Sequence, residues 1–332
     1  MKSSAMGKSF GSWPLWKKLV LAGIILIIVI PLSVGLGVGL SRSKGGSNDD
    51  NDDDDGNNDD SGGDTSGNTP NRTSLWQPEV GASWQIILLK PIEVHADTKI
   101  EPDVEIFDLD LYDNDASTFA ALKKLGKKVI CYFSAGSYEN WRDDKESFHE
   151  ADLGKPLDGW PGERWLNVSS PNVRSIMKKR IEMAAKKGCD AIDPDNVDGF
   201  QNNNGLKLTQ NDTVNFVKFL SETAASFNMS TGLKNAGSVI SEVISDVHFS
   251  VNEQCVEYSE CDTFAPFIDH GKPVFHIEYP KGAPGKISTK TVGGICSGKG
   301  KADGSKGFST VIKKMNLDTW VEYCDGKTYG SS

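Results

Sequence analysis

The sequence predicts an α/β protein whose folded part, residues 81–332, is a TIM-like (β/α)8 barrel behind an N-terminal transmembrane helix and a disordered acidic stalk. Three observations predict it. Short apolar or β-branched runs alternate with helical patterns from Gly81 onward, over a length close to the roughly 250 residues of a β/α barrel. No glycine-rich phosphate or dinucleotide loop follows the first run, which argues against an open dinucleotide-binding sheet. The composition also breaks sharply before Gly81, where an uncharged apolar stretch gives way to a segment almost without apolar groups.

Residues 1–18 contain Lys2, Lys8, Lys17 and Lys18 and no acid, and read as a cytoplasmic tail. Residues 19–40 are a stretch of 22 uncharged residues interrupted by Pro31, Ser33 and glycines, and about 20 apolar residues cross a bilayer. A cleavable signal has an apolar region of only about 7–15 residues before a small-residue cleavage site. The segment is therefore expected to be an uncleaved signal anchor. With lysines on its N-terminal side held in the cytoplasm, the chain would be a single-pass type II protein of the cell membrane, its C-terminal domain extracellular. Residues 41–80 are Gly, Ser, Asn and Asp, with nine aspartates between Asp49 and Asp64. Such a segment cannot offset its ordering entropy and repels itself, so it reads as an extended stalk. It lacks the Gly and Glu at fixed offsets of a calcium-binding EF-hand loop.

The formal charge of −10 divides unevenly: residues 1–40 carry four lysines, residues 41–80 carry three bases against ten acids, and −7 remains for residues 81–332. An acidic domain excludes nucleic acid as a natural partner and suits a neutral or cationic ligand. All six cysteines lie after residue 130, on the side expected to be oxidising. Cys255 and Cys261 are close in sequence, and Cys296 and Cys324 flank the last helical pattern, so these two bridges are expected; the pairing of Cys131 and Cys189 stays open. No CxxC or His-rich spacing suggests a metal site, and no cofactor is expected. Sequons at Asn71, Asn167, Asn211 and Asn228 agree with passage through the secretory route. The ectodomain is expected to be monomeric.

Within the domain, strands are expected at Trp84–Leu89, Val104–Leu109, Lys128–Ser134, Cys189–Asp193, Ser230–Asn235, Phe249–Glu253, Pro273–Tyr279 and Thr319–Cys324. Helical spacing appears at Ala116–Leu125, Ser170–Lys187, Thr209–Phe227, Gly237–Ser245, Thr263–His270 and Ser305–Met315, with starts signalled at Ser170-Pro171 and Thr209. Residues 92–103 are too short and broken for a good helix. Barrels carry their active residues at the C-terminal ends of strands. Those ends hold Asp108, Asp110, Asp193, Asp195, Asp198, Glu253 and Glu278, beside Tyr132, Asn196, Lys234, Asn235, Asn252 and Tyr279. One such residue is as readily a cap or a solvated loop residue. Several converging on one face, where buried charge needs partners or a function, point to a sugar-binding cleft.

The blocks Tyr132-Phe-Ser-Ala-Gly-Ser-Tyr-Glu139, Asp193-Pro-Asp-Asn-Val-Asp-Gly-Phe200, Leu233-Lys-Asn235, Asn252-Glu-Gln-Cys-Val-Glu-Tyr-Ser-Glu-Cys261 and Glu278-Tyr279 resemble glycoside hydrolase family 114, the endo-α-1,4-polygalactosaminidases. The resemblance runs from about Trp84 to Tyr279 and more loosely to the end; it does not cover the anchor and stalk, which would make this a membrane-anchored, fungal type. It implies a TIM-like barrel cleaving α-1,4-linked, galactosamine-rich polysaccharide of the galactosaminogalactan kind. An Asp on the fourth strand and a Glu on the sixth would act, resembling Asp195 and Glu253, with Asp193 a rival for Asp195. The other strand-end residues, Asp108, Asp110, Tyr132, Asp193, Asn196, Asp198, Lys234, Asn235, Glu278 and Tyr279, would contact substrate. Glycoside hydrolysis needs one carboxylate to attack or to activate water and one carboxyl to protonate the leaving oxygen. Glu253, among other carboxylates and under barrel walls, is expected to have the raised pKa of an acid, and Asp195 to stay ionised in a retaining mechanism. A non-catalytic cell-surface sugar-binding protein and a cell-wall transglycosylase share these features and would differ in their products.

Overall fold

The structure, a computed structural model, describes residues 75–330 except 96, 98 and 286. The expected tail, anchor and stalk through residue 74, with the Asn71 sequon, lie outside the described residues. Among the described residues no helix is long and apolar enough to cross a membrane.

Three parallel strands open the domain, β1 (Trp84–Ile87), β2 (Ile106–Asp110) and β3 (Lys128–Ser134). A small antiparallel sheet follows, β4 (Ser137–Glu139), β5 (Leu153–Pro156) and β6 (Glu163–Leu166), in the order β4-β6-β5. Five more parallel strands complete the main sheet: β7 (Ala191–Asp195), β8 (Ser230–Lys234), β9 (Phe249–Glu253), β10 (Val274–Glu278) and β11 (Ser309–Ile312). Then β12 (Val321–Tyr323) and β13 (Thr328–Tyr329) add antiparallel on the β11 edge. The helices are α1 (Ala116–Lys124), α2 (Pro171–Lys187), α3 (Gln210–Ser226), α4 (Ile240–Val243), α5 (Cys255–Tyr258), α6 (Ala265–Asp269) and α7 (Thr289–Ile295).

Strand alternation sorts the side chains into two layers. Ile106, Ile130, Ala191, Phe249, Val251, Phe275, Ile277 and Val311 fill the inside of the curled sheet with Trp84 and Ile86. Their neighbours Phe107, Leu109, Val129, Phe133, Ile192 and Leu233 pack outward with Phe119, Met177, Ile181, Phe216 and Leu220 of the helices. Gly232 makes room for this interior, since a Cβ there would lie 2.4 Å from the Phe249 ring. The seam between β1 and β11 is joined by side chains: Trp84 Nε1 donates to the Ser309 carbonyl (2.8 Å) and Ser309 Oγ to the Ala82 carbonyl (2.7 Å). The mixed α/β fold is thus TIM-like, a curled sheet of parallel strands with helices outside.

Several boundaries differ from the sequence expectation. The eighth parallel strand is β11, inside Ser305–Met315, which had read as a helix; its Ser-Thr-Val-Ile run is β-branched, and pairing with β10 decides between two apolar periodicities that a short segment satisfies equally. The expected strand at Thr319–Cys324 is the antiparallel β12. The fourth strand starts at Ala191 and runs on to Asp195. Packing also reaches back to Leu75, which is buried, and Trp76, whose carbonyl accepts from Ser230 Oγ and whose ring lies 5.4 Å from Lys128 Nζ. The helix starts hold: Pro171 stands in the first turn of α2, and Thr209 and Asp212 form a reciprocal capping box on α3. The disulfides are Cys131–Cys189, Cys255–Cys261 and Cys296–Cys324. Asn211 and Asn228 are exposed and Asn167 half-buried.

One close approach fixes the floor of the concave face. The N–H groups of Ala135 and Gly136 both donate to the Asp195 carbonyl, at 2.9 and 3.0 Å, tying the end of β3 to the end of β7. A Cβ at Gly136 would fall 1.8 Å from the Asn196 carbonyl oxygen. We expect Gly136→Ala to lower the melting temperature, as overpacking of about 1–3 kcal/mol or more does, and to lower kcat more than KM because it displaces Asp195. Wild-type melting and turnover in that variant would show that the approach is dispensable.

Candidate active site

The C-terminal ends of β7, β8 and β9 deliver Asp195, Lys234 and Glu253 side by side. In each case the next residue, Asn196, Asn235 or Gln254, turns the chain with a positive φ (60°, 48° and 63°). Such backbone in a non-glycine residue costs free energy and clusters at functional sites; Asn tolerates it best. The turned chain is held by hydrogen bonds, the Asn235 N–H to the Val251 carbonyl and the Gln254 N–H to the Ile277 carbonyl, both 2.8 Å.

Lys234 is the hub. Its side chain is 2 % exposed, and Nζ lies 3.6 Å from Glu253 Oε2, 3.7 Å from Asp195 Oδ2 and 3.8 Å from Asp193 Oδ2, with the Tyr132 ring 5.3 Å away. Burial opposes the ammonium, but the charges of Asp195, Glu253, Asp193 and Asp108 outweigh it and hold the group protonated. Asp195 also accepts from the Tyr132 hydroxyl (2.8 Å) and from the Asn196 N–H (2.7 Å). Glu253 accepts from the Tyr279 hydroxyl and from Asn235 Nδ2 (3.1 Å), and its own N–H donates to Asn235 Oδ1 (2.9 Å). Both phenols are pushed up, by burial first and then by the carboxylate each serves, so they remain neutral donors.

The raised pKa expected for Glu253 is not what this environment produces. Burial does push the carboxyl up, but the Lys234 charge and the hydrogen bonds from Tyr279 and Asn235 bring it below its ordinary value. The sequence showed the neighbouring carboxylates; the fold places an ammonium among them. Raised carboxyls do occur nearby: Asp198 is pushed up to about 6 by burial and then by the Asp195 charge, and Glu163 to about 7 by burial above all.

These groups lie in a cleft of about 830 Å³ that is lined, among the strand-end residues named above, by Asp110, Tyr132, Asp195, Asn196, Asp198, Lys234, Asn235 and Glu253. Asp110 is occupied: Arg142 Nη2 donates to Oδ2 at 2.6 Å and the Tyr112 N–H to Oδ1 at 2.8 Å, so it braces a wall. Asp108 and Asp193 are fully buried beneath the lining. Glu278 is not brought to the cleft. Ile277 is the inward residue of that pair, so Glu278 points outward and takes the Val256 N–H (2.7 Å) and His276 Nε2 (2.9 Å), holding the turn into α5. Asn252 does not line the cleft either.

The other wall comes from β4 to β6, which sequence reasoning left unassigned. It supplies Glu139, Arg142, Glu163 and Trp165, and the half-exposed rings of Trp141 and Trp160. Glu163 Oε2 accepts from Ser137 Oγ (2.8 Å), whose oxygen accepts from Asn196 Nδ2 (2.9 Å), so this wall is wired to the chain beside Asp195. The available signal was three tryptophans and Tyr138-Glu-Asn-Trp-Arg142 in a long segment without barrel periodicity, where long insertions tend to be functional. Among the described residues, the one grouping of metal-ligand types is Cys255, Cys261 and His276, and its two sulfurs are bonded to each other, which leaves no thiolate to bind an ion. Chemically, the site offers two carboxylates sharing one ammonium at the floor of an acidic, aromatic-rimmed cleft.

The sequence profile of the glycoside-hydrolase family GH114 matches residues 65–329. The crystal structure of Aspergillus fumigatus Ega3 in complex with galactosamine is 55 % identical in sequence, with a TM-score of 0.70 over 76 % of this chain and 100 % of that one. The glycoside hydrolase domain of PelA from Pseudomonas aeruginosa matches with a TM-score of 0.51 over 71 % of this chain and 96 % of that one, at 13 % identity, a likeness of fold alone. No curated protein sequence matches.

Proposed function

Because the chain belongs to glycoside-hydrolase family GH114, we propose that it cleaves internal α-1,4 linkages of a galactosamine-rich polysaccharide with Asp195 and Glu253 as its carboxylate pair. The observation that carries this reading is the placing of both carboxylates against Lys234 at the floor of the cleft. Asp195, with a phenol, a backbone N–H and an ammonium on its oxygens, is fit to attack the anomeric carbon as an anion. Glu253 is the proton donor to the leaving oxygen. Its side chain is 24 % exposed, and a sugar seated against it strengthens the burial that favours the protonated form. Both oxygens lie within 3.7 Å of one nitrogen. Twice that length bounds their separation, which admits the roughly 5 Å of retaining enzymes and excludes the upper part of the roughly 6.5–9.5 Å of inverting ones. This bound supports our reading of retention through a glycosyl ester on Asp195.

The substrate reading rests on charge and on aromatic surface. Free amino groups make a deacetylated galactosamine polymer cationic, and low-dielectric cleft walls focus the field of Asp195, Glu253 and Asp198 on it. Trp141 and Trp160 present half-exposed rings at the rim, a surface for sugar faces and for ammonium groups. With residues 19–40 as an anchor and the acidic segment as a spacer, the enzyme would work on polysaccharide outside the cell.

Asp195→Asn and Glu253→Gln are each expected to lower turnover by several orders of magnitude with melting near wild type, since each removes a reacting group at nearly constant volume. New reducing ends released per mole of enzyme check this; more than a tenth of wild-type activity in Asp195→Asn would contradict the assignment, and intact polymer from the wild type would favour a binding protein.

A second expectation concerns substrate charge. Partly deacetylated α-1,4-galactosaminan should be cleaved faster than the fully acetylated polymer at low salt, and the preference should shrink as the Debye length falls toward about 3 Å near 1 M salt. Equal rates at low salt, or preference for the neutral polymer, would show that the acidic cleft does not select substrate.

A further inference from the structure

Directly below the catalytic pair, the inside of the barrel holds two more carboxyl groups, Asp108 on β2 and Asp193 on β7, both 0 % exposed. None of their four oxygens has a hydrogen-bond donor among the described residues. Two carboxylates facing each other cannot bond, because both only accept; a proton on one makes it a donor to the other.

We propose that Asp108 and Asp193 share a proton as a carboxyl dyad, and that this dyad acts through Lys234 as a positioning device for Asp195 and Glu253. The proposal rests on the reading of those two residues as catalytic. The charged and titratable groups facing the dyad are Tyr132 from β3, Asp195 from β7, Lys234 from β8 and Glu253 from β9. The β1, β10 and β11 walls contribute Trp84, Ile86, Phe275, Ile277 and Val311, none of which titrates, and the Tyr279 phenol beyond β10, which burial and Glu253 keep protonated. Burial, and then Asp193 beside it, raises Asp108 well above the carboxylate range; burial pushes Asp193 up to about 7. The two titrate as a unit, and the pair keeps a proton at neutral pH.

The consequence for the site follows from Lys234, which is nearly equidistant from Asp193, Asp195 and Glu253 at 3.8, 3.7 and 3.6 Å. A dyad of one negative charge leaves the ammonium balanced between the layers. Loss of the shared proton doubles the negative charge beneath it and draws it inward, away from the two catalytic oxygens. Turnover should therefore fall on the alkaline side as the dyad ionises, with little change in KM, since neither aspartate lines the cleft.

Infrared spectroscopy and kinetics on the full-length protein test this. Wild type at neutral pH should show, beside the contribution of Glu163, a protonated-carboxyl C=O band that Asp108→Asn removes and that Asp195→Asn and Glu163→Gln leave in place. Asp108→Asn, whose amide donates as the acid would, should also lose the alkaline fall in kcat while KM stays within a few-fold. Absence of the band from wild type at neutral pH would overturn the shared proton, whether or not the variants fold. A band lost in Asp108→Asn with an unchanged kcat profile would overturn the positioning role. An active Asp195→Asn that keeps the band would overturn the catalytic reading, and with it the positioning role, while the dyad itself stood.

Discussion

One buried ammonium organises this protein's concave face. Inside a barrel, an isolated charge would cost several kcal/mol even after relaxation, and Lys234 is tolerated because three carboxylates surround it within 3.8 Å. The dependence is mutual. Without Lys234, Asp195 and Glu253 would be like charges in a low-dielectric pocket, and Glu253 would lose the charge that most lowers its pKa. The phenols of Tyr132 and Tyr279 then complete the hydrogen bonding of the two anions. Since Lys234 ends β8 between β7 and β9, parallel strand order alone brings these groups together.

The charge of the cleft is consequently less simple than the net charge of the domain. Asp110 is engaged by Arg142, Glu278 faces the helical layer, and Asp108 and Asp193 sit below the surface. Asp108, Asp193 and Glu278 contribute to the domain's −7 without lining the cleft, and Asp110 lines it with its carboxylate already engaged. The other carboxylates of the lining are Asp195, Glu253 and Asp198 at the strand ends, with Asp113, Glu139, Asp158 and Glu163 from the segments around them. The tryptophans of the small sheet give the cleft its apolar rim. Recognition and chemistry thus come from different parts of the chain, the strand ends supplying reacting groups and the insertion after β3 supplying a wall.

Much of this was legible in the sequence. The strand-end carboxylates Asp195 and Glu253 follow apolar runs that read as strands, and helix starts at Pro171 and Thr209 are signalled by local chemistry that tertiary structure did not override. The inward or outward aim of Glu278 was not legible: side chains in a strand alternate, and one residue of register moves a carboxylate from cleft to helix layer. Nor was the pKa of Glu253, which depends on Lys234 and Tyr279, far away in sequence and adjacent in space. The segment from Ser305 to Met315 satisfied helix and strand patterns alike until pairing with β10 chose.

Lys234 holds the Glu253 carboxyl below its ordinary pKa. A carbon-13 NMR titration of the Glu253 side-chain carboxyl in substrate-free protein measures this directly. The account predicts a pKa below the ordinary 4.5 in wild type, rising in Lys234→Met as the ammonium is lost. A wild-type value above 4.5, or one unmoved by Lys234→Met, would contradict it.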